Sequence, residues 1–269
     1  MPGQKWRTRL LMVFLALVVS FMAAPVFFVV LASFNNVAYN TFPPRGFSLQ
    51  WYSSVLRSPV FVKAFYRSVV VAGTTTLVTM VAGITASFAL VRYQFTGRGL
   101  SKAVFLTPIV TPKIAIGLSS FILALRLNIY GSLTSIVLCH SVIALPYVIS
   151  MASTALAGLD GRLEEAAMDL GATSPKVLSR VIFPQIRVAL AVSAVFAFLR
   201  SFEQVNATIF LVQPGKNTLA VEMFLYLERF QDPTIAAVAT ILVAITIAVV
   251  SVVGLGTPGT GMPGVGLGR

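Results

Sequence analysis

The sequence predicts an all-α integral membrane protein, and three observations carry the prediction. Of 269 residues, 57% are hydrophobic and only 10% charged, and the mean hydropathy is +0.89, more apolar side chain than a water-facing surface accommodates. Six windows are apolar over lengths that cross a hydrocarbon core of about 30 Å. The 20 Lys+Arg against 8 Asp+Glu fall mostly between these windows rather than on one face, which is the pattern of membrane topology and not of a nucleic-acid binder. A single cysteine, Cys139, and a single histidine, His140, exclude a disulfide framework and a multi-cysteine metal or redox motif. They sit together in an apolar window, where a packed histidine and an inert thiol outweigh a ligand pair.

The first span follows Lys5, Arg7 and Arg9 and runs from Leu10 to about Phe34 with no charge before Arg45. It is too long for a signal peptide and lacks a small-residue cleavage site, so it reads as an uncleaved anchor behind a cytoplasmic segment, 1–9. Five more windows lie near 68–91, 103–125, 131–153, 188–210 and 234–254, each a helix that satisfies its own backbone in lipid. The six-span domain is thus 10–254, with both termini on one side. Eleven cationic residues fall on the side of the N-terminus against seven opposite, which makes that side cytoplasmic. In the external segment 211–233, Leu219, Met223, Tyr226, Leu227 and Phe230 share one helical face, predicting a short helix at the membrane surface, as connector or gate. The Gly- and Pro-rich tail, 255–269, is expected to be disordered.

Acidic residues are absent before Asp160, and four of the eight are Asp160, Glu164, Glu165 and Asp169. They occupy the longest cytoplasmic loop, 153–187, whose pattern is helical. Asp160 caps a first helix through Asp169 or Leu170, with Glu164 and Glu165 at its positive end. Gly171 ends it in the left-handed region. Ser174 caps a second helix with Pro175 in its first turn, and Pro184 stops that helix before the next span. Small Ala166 and Ala167 beside the bend leave room for another protein.

Glu165-Ala166-Ala167, three residues, Gly171, nine residues, then Val181-Ile182-Phe183-Pro184 resembles the EAA loop of binding-protein-dependent ABC importer permeases, E-A-A-x3-G-x9-I-x-L-P. Val181 and Phe183 replace the usual Ile and Leu. Phe47-Ser48-Leu49-Gln50-Trp51-Tyr52, Ser201-Phe202-Glu203 and Asp232-Pro233-Thr234-Ile235-Ala236-Ala237 are similar to the spermidine/putrescine-type members. The resemblance implies a type I ABC importer permease in a bacterial inner membrane, with Glu164, Glu165, Ala166, Ala167, Gly171 and Pro184 in its coupling loop. It implies as partners an ABC ATPase dimer, a second permease, different from this chain in polyamine-type systems, and an extracytoplasmic solute-binding protein. The chain itself is then a transport subunit and not an enzyme. Pro214-Gly215-Lys216-Asn217 lacks the glycine and hydroxyl of a phosphate loop, so ATP and Mg belong to the partner ATPase and no cofactor or metal to this chain.

Ionisable groups inside spans mark pathways or internal pairs, which singles out Lys113, Arg200 and Glu203. Counting from Val188 at about 1.5 Å per residue puts Arg200 near mid-membrane, with Glu203 within pairing distance and Asn206 a turn further on the same face. An ion pair that holds span five and a contact to solute are both open. Gly73, Gly83, Pro108, Pro112, Gly117 and Pro146 fit close helix packing and kinks. Polyamine-type relatives carry acidic residues where Lys113 and Gln204 stand, so a polyamine-like solute competes with aminoethylphosphonate or ferric iron. A secondary transporter leaves the EAA loop unexplained, and a membrane enzyme lacks a catalytic constellation.

Overall fold

The computed structural model describes residues 2–39, 41 and 43–255, all helix or connection with no strand among them; the tail predicted to be disordered lies outside them apart from Leu255. Among the described residues, eleven α-helices follow one another: α1 (Pro2–Ser33), α2 (Gln50–Arg57), α3 (Pro59–Arg92), α4 (Arg98–Val110), α5 (Lys113–Arg126), α6 (Leu133–Ala157), α7 (Arg162–Asp169), α8 (Ser174–Val177), α9 (Phe183–Phe202), α10 (Leu219–Arg229) and α11 (Thr234–Leu255). A π-helical turn, Leu178–Ile182, joins α8 to α9, and a 3-10 turn, Thr208–Phe210, follows α9. They form two compact units, residues 1–62 with 225–269, and residues 63–224.

Among the described residues, four helices are long and apolar enough to cross a membrane: Trp6–Ser33, Pro59–Arg92, Leu133–Ala157 and Ser174–Phe202. The predicted span at 103–125 is instead a broken pair, α4 and α5, bent by 105°. The break falls at Thr111-Pro112, where Pro112 takes an extended ψ of 129° before α5 and biases Thr111 out of the helical region. Pro108 and Pro146, in contrast, are carried inside α4 and α6. The sixth window is α11, whose Thr234–Ala248 is a shorter apolar stretch. Residues predicted as an N-terminal segment are already helical from Pro2, continuous with the first span.

In the first unit α1 and α2 both lie against α11. Asn35 organises the connection from α1 to α2. Its side-chain amide donates to Tyr39 O at 3.2 Å and Thr41 Oγ1 at 3.1 Å, and its Oδ1 accepts from Arg45 N at 3.0 Å. Trp51 Nε1 donates to Asn35 O at 2.7 Å, and Phe34 stacks on Phe47 with centroids 4.8 Å apart. Asp232 binds Thr234 N at 2.9 Å and the Tyr226 hydroxyl at 2.8 Å, which fixes the start of α11. The surface helix predicted in 211–233 forms as α10, but its expected face is divided. Leu227 and Phe230 are exposed, whereas Val221, outside that face, is fully buried.

The second unit is built on α6 packed along α9. Ala144, Val148 and Ala197, all fully buried, form the seam, and such small side chains let two helices approach closely. Gly83 of α3 meets the same seam: a Cβ there would lie 2.6 Å from Val148 Cγ1. Gly117 of α5 lies against the chain after α9, with a Cβ placed 2.6 Å from Ala207 Cα. Gly73, by contrast, faces nothing within 4 Å, so close packing does not explain it. Gly117→Ala therefore forces backbone apart and is expected to cost about 1–3 kcal/mol, seen as a lower thermal midpoint in detergent, while Gly73→Ala leaves that midpoint unchanged or slightly raised.

Candidate functional site

The loop between α6 and α9 folds as two helices around a sharp turn. Asp160 Oδ1 accepts from Arg162 N at 3.0 Å, which satisfies one of the orphan donors that open α7. Glu164 and Glu165 stand in the first turn, where a helix N-terminus favours negative charge. Gly171 ends α7 with φ +83°, a region costly for side chains with a Cβ. Gly171 N donates to Met168 O at 2.8 Å and Ala172 N to Ala167 O at 3.0 Å, closing the helix end. The next helix begins at Ser174 itself, with Thr173 in the capping position and no side-chain cap.

Pro184 does not stop the second helix. Residues Ser174–Phe202 run as one helix of 29 residues, and the reason is the π turn. A proline at 184 cannot donate to Arg180 O, so the ladder widens locally and Phe183 N reaches back to Leu178 O, as π-bulges allow. Gln185 Nε2 donates to Val181 O at 2.8 Å. Val177, Ile182, Ile186 and Leu156 are buried together beneath this rod, with Ala167, Ala172 and Phe88 packed against them.

Six residues were singled out for the loop, and the structure sorts them. Glu165 and Ala166 are exposed, Glu164 and Ala167 turn inward, Gly171 makes the bend, and Pro184 belongs to the rod. Glu164 pairs with Arg92 at the end of α3, which pins α7 to a second span. Sequence reasoning missed Leu163, Met168 and Leu170, exposed by 49%, 49% and 90%. The signal was present: Leu163, Ala166 and Leu170 recur at helical spacing.

The intramembrane candidates sit around the end of α9. Arg200 Nη1 donates to Glu203 Oε1 at 2.9 Å and its guanidinium lies 5.0 Å from the centroid of Tyr147, a cation–π distance. Both charged side chains are about half exposed, 44% and 61%, so the pair contributes little to stability. The window read as a span over 188–210 ends sooner, because α9 stops at Phe202 and Arg200 stands in its last turn. Asn206 consequently lies on the following connection, exposed, not on a continued helical face. Lys113 is at the α4–α5 break, its Nζ donating to Pro108 O at 3.1 Å, and does not join the Arg200–Glu203 pair.

His140 holds this region together. Fully enclosed in α6, it bonds Ser201 Oγ through Nδ1 and Thr208 Oγ1 through Nε2, both at 2.7 Å. Thr208 in turn donates to Gln204 O at 2.6 Å. The imidazole thus clamps both ends of the 201–208 connection that carries Glu203 and Asn206, and Gly117 lets α5 press on the same connection at Ala207. The packed histidine expected from sequence is correct, but its location makes it a positioning residue.

Residues 79–256 match the family model described as "Binding-protein-dependent transport system inner membrane component". Among relatives, the spermidine/putrescine transport system permease protein PotC of Haemophilus influenzae is 29% identical over 88% of this chain and 91% of its own. The putrescine permease PotI of Escherichia coli is 31% identical over 88% and 85%, and a putative 2-aminoethylphosphonate permease, PhnV of Salmonella paratyphi A, 26% over 81% and 83%. A chain of a bacterial ABC transporter for import of the acidic polysaccharide alginate shares the fold, with TM-score 0.69, 14% identity and coverage of 95% and 96%. A chain of the inward-facing methionine transporter MetNI gives 0.60 at 16% identity, covering 74% of this chain and 96% of that one. With the match extending over well more than half of its length, the chain belongs to the inner-membrane permease components of binding-protein-dependent ABC importers.

Proposed function

We propose that this permease passes a small, polyamine-like solute from an external binding protein to the cytoplasm by alternating access, driven by a separate ABC ATPase. The observation that carries this reading is the continuity of the rod. The exposed turn of Glu165, Ala166, Leu163 and Leu170 stands at the head of a helix that runs unbroken from Ser174 to Phe202, into the Arg200–Glu203 pair. An ATPase that grips α7 moves the rod through the packing of Ala167 and Ala172 on Val177, Ile182 and Ile186, and the Arg92–Glu164 pair passes part of the motion to α3. In this arrangement both termini lie in the cytoplasm of a multi-pass inner-membrane protein, and a second permease completes the pathway.

The polyamine reading is supported by relatives named for spermidine and putrescine. It asks for carboxylates from the second permease beside Glu203, since Arg200 and Lys113 add positive charge here. Lys113 and the relative named for 2-aminoethylphosphonate favour a second reading, an anionic or zwitterionic solute. Titrating spermidine and 2-aminoethylphosphonate against the cognate binding protein separates the two: tight binding of the phosphonate alone replaces the polyamine.

Gly171→Asp or Glu165→Lys is expected to abolish uptake while the protein stays in the membrane; normal transport by both contradicts the coupling role. Leu170→Ala should weaken ATPase association roughly tenfold, the effect of one interface side chain worth about 1.4 kcal/mol, read by titrating the ATPase onto nanodisc-embedded permease. Replacing Leu178 and Ser179 by glycines loosens the rod, and ATP hydrolysis should continue in the assembled transporter while solute uptake falls.

A further inference from the structure

A cavity of about 470 Å³ opens between the end of α3, the start of α4 and the end of α6, lined by Leu90, Arg98, Gly99, Lys102, Ser150, Ser153 and neighbours. No carboxylate lines it. The one acid held at the end of α3, Glu164, is already paired with Arg92. Arg98 is fixed at the wall by its Nε, which donates to Leu90 O at 2.7 Å. Lys102 is exposed and makes no hydrogen bond or ion pair among the described residues. Ser153 Oγ is buried and lacks a partner, although hydroxyls enclosed in protein are normally bonded. Finally, α4 begins here without a side-chain cap; Arg98 N donates to Phe95 O at 3.2 Å, while Gly99 N and Leu100 N make no bond among the described residues, so these two donors and the positive helix end are open.

Two cations, an unpartnered hydroxyl and an open helix N-terminus around one cavity form a recognition set for a tetrahedral oxyanion. We propose that this cavity is a binding site for a phosphate group. The chemistry admits two sources, the headgroup of an anionic phospholipid or a soluble phosphate. The lipid is favoured by the apolar wall of Leu90, Val91, Leu106 and Ile149 beside the cations, which suits acyl chain below a headgroup. Placing the cavity at the cytoplasmic leaflet, where anionic lipid meets basic pockets, rests on the coupling reading of α7; the binding chemistry does not.

The test uses the full chain purified with its associated subunits and placed in nanodiscs of phosphatidylethanolamine with or without phosphatidylglycerol. Native mass spectrometry then counts retained phosphatidylglycerol, and inorganic phosphate is titrated onto the delipidated complex in a parallel arm. Lys102→Ala, which disturbs no bond, is expected to lower occupancy about tenfold, Lys102→Arg to restore it, and Lys176→Ala, an exposed cation elsewhere, to leave it unchanged. Loss in the lipid arm alone identifies the headgroup; loss in the phosphate arm identifies a soluble ligand. Equal occupancy in wild type and Lys102→Ala, or no binding in either arm, overturns the site. Gly171→Asp, which tests the coupling loop, should retain the phosphate ligand, so failure of one idea is distinguishable from failure of the other.

Discussion

A helix in hydrocarbon must satisfy its own backbone, and a proline removes one donor from that closed account. At Pro184 the chain has two options: end the helix or widen one turn. It widens the turn, and the bond from Phe183 N to Leu178 O keeps Ser174–Phe202 whole. The continuity from the loop into the span depends on that choice. With a broken helix, the segment from Ser174 to Ile182 would be hinged against α9. With an unbroken one, Ser174 and the last residues of α9 belong to a single rod, against which α7 packs through Ala167. The buried cluster of Leu156, Val177, Ile182 and Ile186 acts as its bearing, since lateral tilting of the rod exposes or strains packed side chains.

At the other end of the rod the design changes from apolar to polar. His140, Ser201 and Thr208 form a fully enclosed bonded set, in which loss of any one partner leaves a buried polar atom unpaired. Such a set holds the 201–208 connection in one geometry and leaves Arg200 and Glu203 on the open side. Rigid support and accessible charge are thereby separated by only a few residues. The exposed Arg200–Glu203 pair has little to lose by changing partner, whereas the enclosed histidine has much.

Much of this was legible in the sequence, and the failures have physical causes. Span positions follow from hydropathy, because lipid imposes a length and a composition. The bend of α7 was readable from Gly171, whose φ of +83° is the reason a glycine stands there. Pro184 was misread because a proline states only which bond is missing, and the repair by a neighbouring π turn depends on packing of Ile182 and Ile186 that no local pattern reveals. Pro112 was read as fitting packing or a local kink within one span, because hydropathy averaged over 103–125 is blind to direction and concealed a break bent by 105°. His140 was read as packed, yet its two partners lie 61 and 68 residues away, beyond any local signal.

The division of labour along the α7 surface follows from the same physics. Glu164 and Glu165 are adjacent in sequence, but successive residues on a helix point about 100° apart, so one turns to Arg92 and the other to solvent. Ala166 and Ala167 divide in the same way, Ala167 against the bearing cluster and Ala166 outward. One side of this single turn is thus fastened to the bundle through charge and packing, and the other presents Leu163, Ala166 and Leu170. In the proposed coupling role the two sides divide the work: the inner attachments tie the turn to the spans, and the outer apolar face is the part open to a partner.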